Sequence, residues 1–192
     1  MSQFKIYVAT ENDLVYLDNI AEAIKAASEV KGTGIAVRSK EYLTSKIQEG
    51  KSVIAVHEDG RWAGYCYIES WGHNKFVANS GLVVNSEFRG QGLAGQIKAQ
   101  ALELSAVLFP AAQLFGLTTS LAVMKINSSL GYQPVTFSEL TDDEEFWKGC
   151  QSCPYYDILV RTRRAHCLCT AMLRESAASV NNGSMNKEEV AA

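Results

Sequence analysis

One stretch limits the fold more than any other: residues 80–108, reading SGLVVNSEFRGQGLAGQIKAQALELSAVL. A β-branched, apolar run leads into Arg89-Gly90-Gln91-Gly92-Leu93-Ala94, after which Leu93, Ile97, Ala101, Leu104 and Leu108 recur on one helical face. The pattern predicts strand, glycine turn, helix. Backbone N–H groups in the first turn of a helix lack intrahelical partners, and Gly90 and Gly92 would let an anion approach them closely. A pyrophosphate suits that end, where the helix dipole is positive.

Two phosphate motifs can be compared with this stretch. It lacks the Gly-Lys-Ser/Thr of a P-loop. The run Gly90-Gln91-Gly92-Leu93-Ala94-Gly95 meets the dinucleotide spacing G-x-G-x-x-G by letter, yet it follows several strands. Nor does an acidic residue end a strand about 20 residues on, where a ribose would be held. An ordinary strand-to-helix turn is the plain alternative. The stretch more closely resembles the coenzyme A loop of the GNAT superfamily of N-acyltransferases, Arg/Gln-x-x-Gly-x-Gly/Ala, matched by Arg89, Gly92 and Ala94, with Val84 ending the strand before it. The resemblance implies that Arg89, Gly90, Gln91, Gly92, Leu93 and Ala94 cradle the pyrophosphate and that Val84 bonds the pantetheine arm. Acetyl-CoA or succinyl-CoA would be the acyl donor.

The rest of the chain is read in order. Lys5 to Ala9 alternates as a strand. Thr10 and Asp13 form a capping-box pattern ahead of Leu14, Leu17, Ile20, Ala21 and Ile24, a helix expected to end near Gly32. Ser39 is placed to cap a second helix, with Tyr42, Leu43 and Ile47 inward and Gly50 as its stop. Ser52 to His57 and Arg61 to Trp71 read as strands joined by the turn signal Glu58-Asp59-Gly60. Phe76 to Val84 leads into the glycine loop, Gln113 to Thr118 follows the long helix, and a short helix from Ser120 to Leu130 precedes a strand from Tyr132 to Phe137. The order β-α-α-β-β-β-α-β-α-β is the GNAT order. It implies an α/β (α+β) fold, a mixed central sheet of six to seven strands with helices on both faces, splayed between strands four and five.

Further on, Thr141 to Trp147 looks like a capped acidic helix and Tyr155 to Val160 is a further strand candidate. Residues 1–174 are expected to form one domain, with a cysteine-rich element at 145–170. From Glu175 to Ala192 large apolar groups are scarce, and a disordered tail is expected. At 47% apolar and 20% charged the composition is that of a globular chain, and a net charge of −3 argues against a nucleic-acid surface. Neither a secretory leader nor an apolar run long enough for a bilayer is visible, so a cytoplasmic location is expected, with no membrane partner. A homodimer stays open, because exposed and interface apolar residues look alike.

Two more segments resemble the acyltransferase domains of N-acetylglutamate synthases. One is Gly34 to Leu43, reading GIAVRSKEYL; the other joins Leu114-Phe115-Gly116-Leu117-Thr118-Thr119 to Gly131-Tyr132-Gln133-Pro134-Val135. Glu145 to Cys150 and Cys167 to Leu173 add a likeness to stand-alone arginine-biosynthesis acyltransferases of Bacteroidetes. Nothing as long as the synthases' amino-acid-kinase-like domain precedes Met1, so feedback through such a domain is not expected. The favoured acceptor is the α-amine of glutamate. An amino-dicarboxylate calls for a cation fork, which Arg38 offers, and for further donors, for which Lys75, Asn79, Ser80, Thr118 and Thr119 are candidates. Glu69 and His73 are the candidates for the base. The superfamily's usual thiolate acid, a tyrosine, aligns with Asn127, which has no proton to give at neutral pH but can hydrogen-bond a thiolate. Another small amine, a protein N-terminus or a non-catalytic acyl-CoA sensor are the competing readings.

Cys150-x-x-Cys153 has zinc-knuckle spacing, whereas Cys167-x-Cys169 is one residue short of it. On a strand the latter pair would share one face, making a structural zinc conceivable. Reduced thiols buried as small apolar groups are the favoured reading.

Overall fold

Val53 and Ala55 belong to one buried cluster, Ile54 and Val56 to another, so alternate residues of a single strand are buried on opposite faces of a sheet. A strand of this kind needs cover on each side. In the computed structural model, which describes residues 3–30 and 32–179, helices provide it. The chain runs β1 (Phe4–Val8), α1 (Leu17–Ser28), α2 (Lys40–Gln48), β2 (Ser52–His57), β3 (Trp62–Trp71), β4 (Phe76–Val84) and α3 (Leu93–Leu108). It continues through β5 (Gln113–Thr118), α4 (Leu121–Ser129), β6 (Gln133–Val135), α5 (Glu144–Lys148), α6 (Tyr156–Arg161) and β7 (Thr170–Arg174). The strands form one seven-stranded sheet in the order β1-β2-β3-β4-β5-β7-β6. Leu93, Ile97, Ala101 and Leu104 of α3 pack on Ala63, Cys66 and Ile68. Ile20 and Ile24 of α1, with Leu43 and Ile47 of α2, cover Tyr65 and Tyr67 on the opposite face.

Local chemistry sets the helix starts. Thr10 and Asp13 make the reciprocal capping box, here opening a 3-10 turn (Glu11–Tyr16) that feeds α1. The Ser39 hydroxyl accepts from the Tyr42 N–H and Ser120 from Val123, at the starts of α2 and α4.

The functional consequence of the sheet lies at its one parallel pair. β4 and β5 are in register only at Phe76↔Gln113, Val77↔Leu114 and Ala78↔Phe115. Beyond Ala78 the two strands part, leaving the β4 edge from Asn79 to Val84 without a strand on that side. Edge-to-face contacts of Phe115 with Phe76 and Phe146, and of Phe146 with Trp71 and Trp147, fasten the closed end. Tyr65 pairs with Val83 and Tyr67 with Ser80, so two residues of β4 stand opposite one of β3. Gly81 is in this bulge, at φ +63°.

The C-terminal third departs from the sequence reading. Tyr155–Val160, expected as a strand, is the helix α6. A short apolar run fits either element, and here only Leu159 is buried, in a cluster with Phe137 and Trp147. The seventh strand is instead β7, which begins just after Cys169, so Cys167 and Cys169 lie in the segment before a strand and not on one. Of the stretch expected as a disordered tail, Ser176 is buried and the Ala178 N–H bonds Pro110 O at 3.1 Å, while 180–192 lie outside the described residues.

Candidate active site

Gly90 and Gly92 adopt φ of +78° and +73°, and a Cβ on either would meet nothing within 4 Å. The chain therefore crosses an open surface in a conformation that glycine favours. Among the described residues, the N–H groups of Gly90, Gln91, Gly92, Leu93 and Ala94 find no intramolecular acceptor, and Gly92 caps α3 without a side-chain bond. This is a row of free donors at the positive end of a 16-residue helix. Arg89 Nε donates to Val84 O at 3.1 Å, tying the loop to the end of β4.

The parted strands open onto a cavity of about 380 Å³. Arg38, Tyr67 and Glu69 line one side; Lys98, Val123 and Asn127 line another. Residues 33–36 ahead of α2 also line the cavity, and an added Cβ at Gly34 would meet Cys169 Sγ at 3.1 Å and Thr119 Cγ2 at 3.6 Å. Arg38 Nε donates to the Tyr67 hydroxyl at 3.1 Å, and its guanidinium lies 5.3 Å from the Tyr42 ring centre. Among the described residues no carboxylate forms an ion pair with it. Glu69 does have partners: Lys46 Nζ at 2.8 Å and the Tyr42 hydroxyl, which donates to Oε2. Burial and the neighbouring Tyr67 push the Tyr42 hydroxyl far above its usual range, and burial also raises that of Tyr67, so both stay protonated as donors.

Residues 22–108 match the model of the acetyltransferase (GNAT) family. That stretch of the chain is similar to a GNAT acetyltransferase domain. N-acetylglutamate synthase from Neisseria gonorrhoeae, complexed with coenzyme A and N-acetyl-glutamate, has a TM-score of 0.66 at 19% identity, over 92% of this chain. The present chain spans only 36% of that synthase's length. Rv2747 from Mycobacterium tuberculosis, in complex with CoA, gives 0.65 at 16% identity, covering 89% of this chain and 98% of its own. A phosphinothricin acetyltransferase from Sinorhizobium meliloti, in complex with AcCoA, gives 0.63 at 14%, over 91% and 89% of the two chains. At such identities the likeness is one of fold. No curated protein matches the sequence.

The cleft gathers Arg38, Glu69, Asn79, Ser80, Thr118, Thr119 and Asn127. His73 and Lys75 are exposed on the β3–β4 turn, away from the cleft lining, with His73 at φ +56°. Cys150, Cys153, Cys167 and Cys169 line the cleft as free thiols. Burial, then neighbouring thiols, pushes Cys150 up to about 11 and Cys169 up to about 12. No group of three or more His, Cys, Asp or Glu among the described residues is arranged to hold a metal ion. Sequence reasoning missed Tyr67, which sits under Arg38, and Lys98, a polar residue on the buried side of α3.

CoA fits the residues present on two counts. The glycine loop is an unfilled cradle of donors, and Asn127 Oδ1, buried in the cleft wall, has no hydrogen-bond partner among the described residues. A Gly92→Val variant is expected to bind CoA about ten-fold or more weakly by calorimetry, since its side chain would project from the cradle, with a melting point only a few degrees lower for about 1–2 kcal/mol of backbone strain. Unchanged CoA affinity would remove this loop from the binding site.

Proposed function

We propose that this protein transfers an acetyl or succinyl group from CoA to the α-amine of glutamate, or of a similarly acidic amino acid, in arginine synthesis. The observation that carries the reading is Arg38, a guanidinium fixed by Tyr67 at the cleft, with no carboxylate ion-paired to it among the described residues, and lining the same space as Glu69. A fork of this kind suits a carboxylate. Thr118 and Thr119 border the same space, and the Neisseria synthase, of like fold, is one that binds N-acetyl-glutamate.

CoA, when bound, brings the acyl carbonyl as a thioester. The chain's own groups orient and deprotonate. Arg38 holds the acceptor's side-chain or α-carboxylate, while Glu69 takes a proton from the ammonium directly or through one water. Tyr42 and Lys46 hold Glu69 in position for this. The amine forms the new C–N bond at the acyl carbon as the C–S bond breaks, the electron pair leaves on sulfur, and the second proton on nitrogen passes to water. Free N–H groups along the unpaired β4 edge are suited to the negative charge that builds on the carbonyl oxygen. Asn127 can hydrogen-bond the departing thiolate but not protonate it, and this favours one competing reading, a sensor that binds acyl-CoA without turnover.

Free thiol released from acetyl-CoA and from succinyl-CoA, each with and without glutamate, separates the readings. Glutamate-dependent release is the expected result. Binding of both thioesters with no release for glutamate or other amines would leave the sensor.

A further inference from the structure

Lys98 is the least expected residue in the cleft. It is 2% exposed, yet it belongs to the lining on the α3 side. Its ammonium has three donors, and the one hydrogen bond it makes is to Asn79 O at 3.3 Å. The Tyr132 ring centre lies 5.7 Å away, and Cys66, buried beside it, is held as a neutral thiol. Among the described residues no carboxylate pairs with Lys98.

A purely structural role accounts poorly for this. An unpaired buried cation costs several kcal/mol, and a leucine or methionine would fill the space without that cost. The surroundings also hold the site still. Tyr132 donates to Asn79 Oδ1 at 2.7 Å, Asn79 Nδ2 donates to Ser105 Oγ at 3.0 Å, and Ser105 Oγ donates to Ala101 O at 2.7 Å. These bonds occupy the Asn79 side chain and leave its carbonyl as the ammonium's anchor. Burial disfavours the charged form of Lys98, so an arriving anion would be repaid by holding the proton on.

Position says which anion. Asn79 is the first residue past the last β4–β5 pair, Ala78↔Phe115, so Lys98 reaches the apex of the opening. Lys98 is five residues into α3 from Leu93, or about 7.5 Å along the helix axis from the glycine cradle. A thioester lying along the free β4 edge from that cradle would bring its acyl end to the apex. Arg38 and Glu69, the groups proposed for the acceptor, come from the other face, from the segment just before α2 and from β3.

We propose that Lys98 makes the cleft selective for an acyl donor whose acyl group itself ends in a carboxylate, a dicarboxylic monothioester of the succinyl class. The inference rests on the reading of the glycine loop as a CoA cradle and extends it. Lys98 takes no part in the bond exchange; it binds the far end of the acyl group.

The test compares succinyl-CoA with butyryl-CoA, which has the same four-carbon chain ending in a methyl, by calorimetry with no acceptor present. The protein is expected to bind succinyl-CoA about ten-fold or more tightly. Lys98→Met is expected to erase or invert the preference while its melting curve stays cooperative. Equal affinities in the unaltered protein would overturn the inference whether or not the variant folds, and so would a preference that survives in Lys98→Met. Because no amine is present, failure to acylate glutamate counts against the proposed function alone, and loss of the succinyl preference counts against Lys98 alone.

Discussion

Arg38→Met is expected to raise the KM for glutamate by roughly 30- to 1,000-fold, the equivalent of about 2–4 kcal/mol for a lost charge-assisted fork, while CoA binding stays unchanged. The asymmetry follows from geometry. The guanidinium is held by Tyr67 and lies by the Tyr42 ring, on the side proposed for the acceptor, whereas the glycine loop is at the far end of β4. Arg38→Lys keeps the charge but not the planar pair of donors, so it should fall between the two. Steady-state kinetics with varied glutamate, alongside calorimetry with CoA, reads both quantities. A KM for glutamate that did not move in the methionine variant would place the carboxylate clamp elsewhere.

Gly81→Ala is expected to be among the most destabilising single-carbon additions in the chain. Its φ of +63° already penalises any L side chain, and the added Cβ would be 2.5 Å from Tyr67 Cε1 and 2.8 Å from Cδ1. Tyr67 is itself buried and bonded to Arg38, so the ring has little room to retreat. Backbone strain of about 1–2 kcal/mol plus overpacking of about 1–3 kcal/mol gives a loss of roughly 2–5 kcal/mol, and a melting point lower by about 4–20 °C. Gly60→Ala isolates the first contribution, since Gly60 has φ +88° with nothing within 4 Å of an added Cβ. If the two variants melted together, the contact between Gly81 and the Tyr67 ring would not be a tight one.

Much of the frame was readable from the sequence because it depends on near neighbours. The Thr10–Asp13 box, the Ser39 cap and the glycine turn before α3 each encode a backbone geometry within a few residues, and each forms where the spacing implies. The three-residue pairing of β4 with β5 is also what the splay expected from the GNAT resemblance requires. What could not be read depends on partners distant in sequence. Lys98 looks like a solvated helix residue until Asn79 and Tyr132, 19 and 34 positions away, close around it. The run Tyr155–Val160 carries no period long enough to separate helix from strand, and its helical state is settled by where Leu159 packs. Tyr132, which the sequence marks only as a strand start within the Gly131 to Val135 segment, anchors the Asn79 side chain.

The place of β7 in the sheet bears on how the chain can be cut, fused or synthesised. β7 lies between β5 and β6, pairing Leu114 to Thr118 on one side and Gln133 to Val135 on the other. A nascent chain must therefore wait for β7, which ends at residue 174, before β6 gains its neighbour and β5 its second one. Until then both present unpaired backbone, and β5 does so beside Leu114 and Phe115, a combination that invites pairing with other chains. Trimming a recombinant form before Thr170 would leave the same two edges bare, so boundaries for expression belong beyond Arg174.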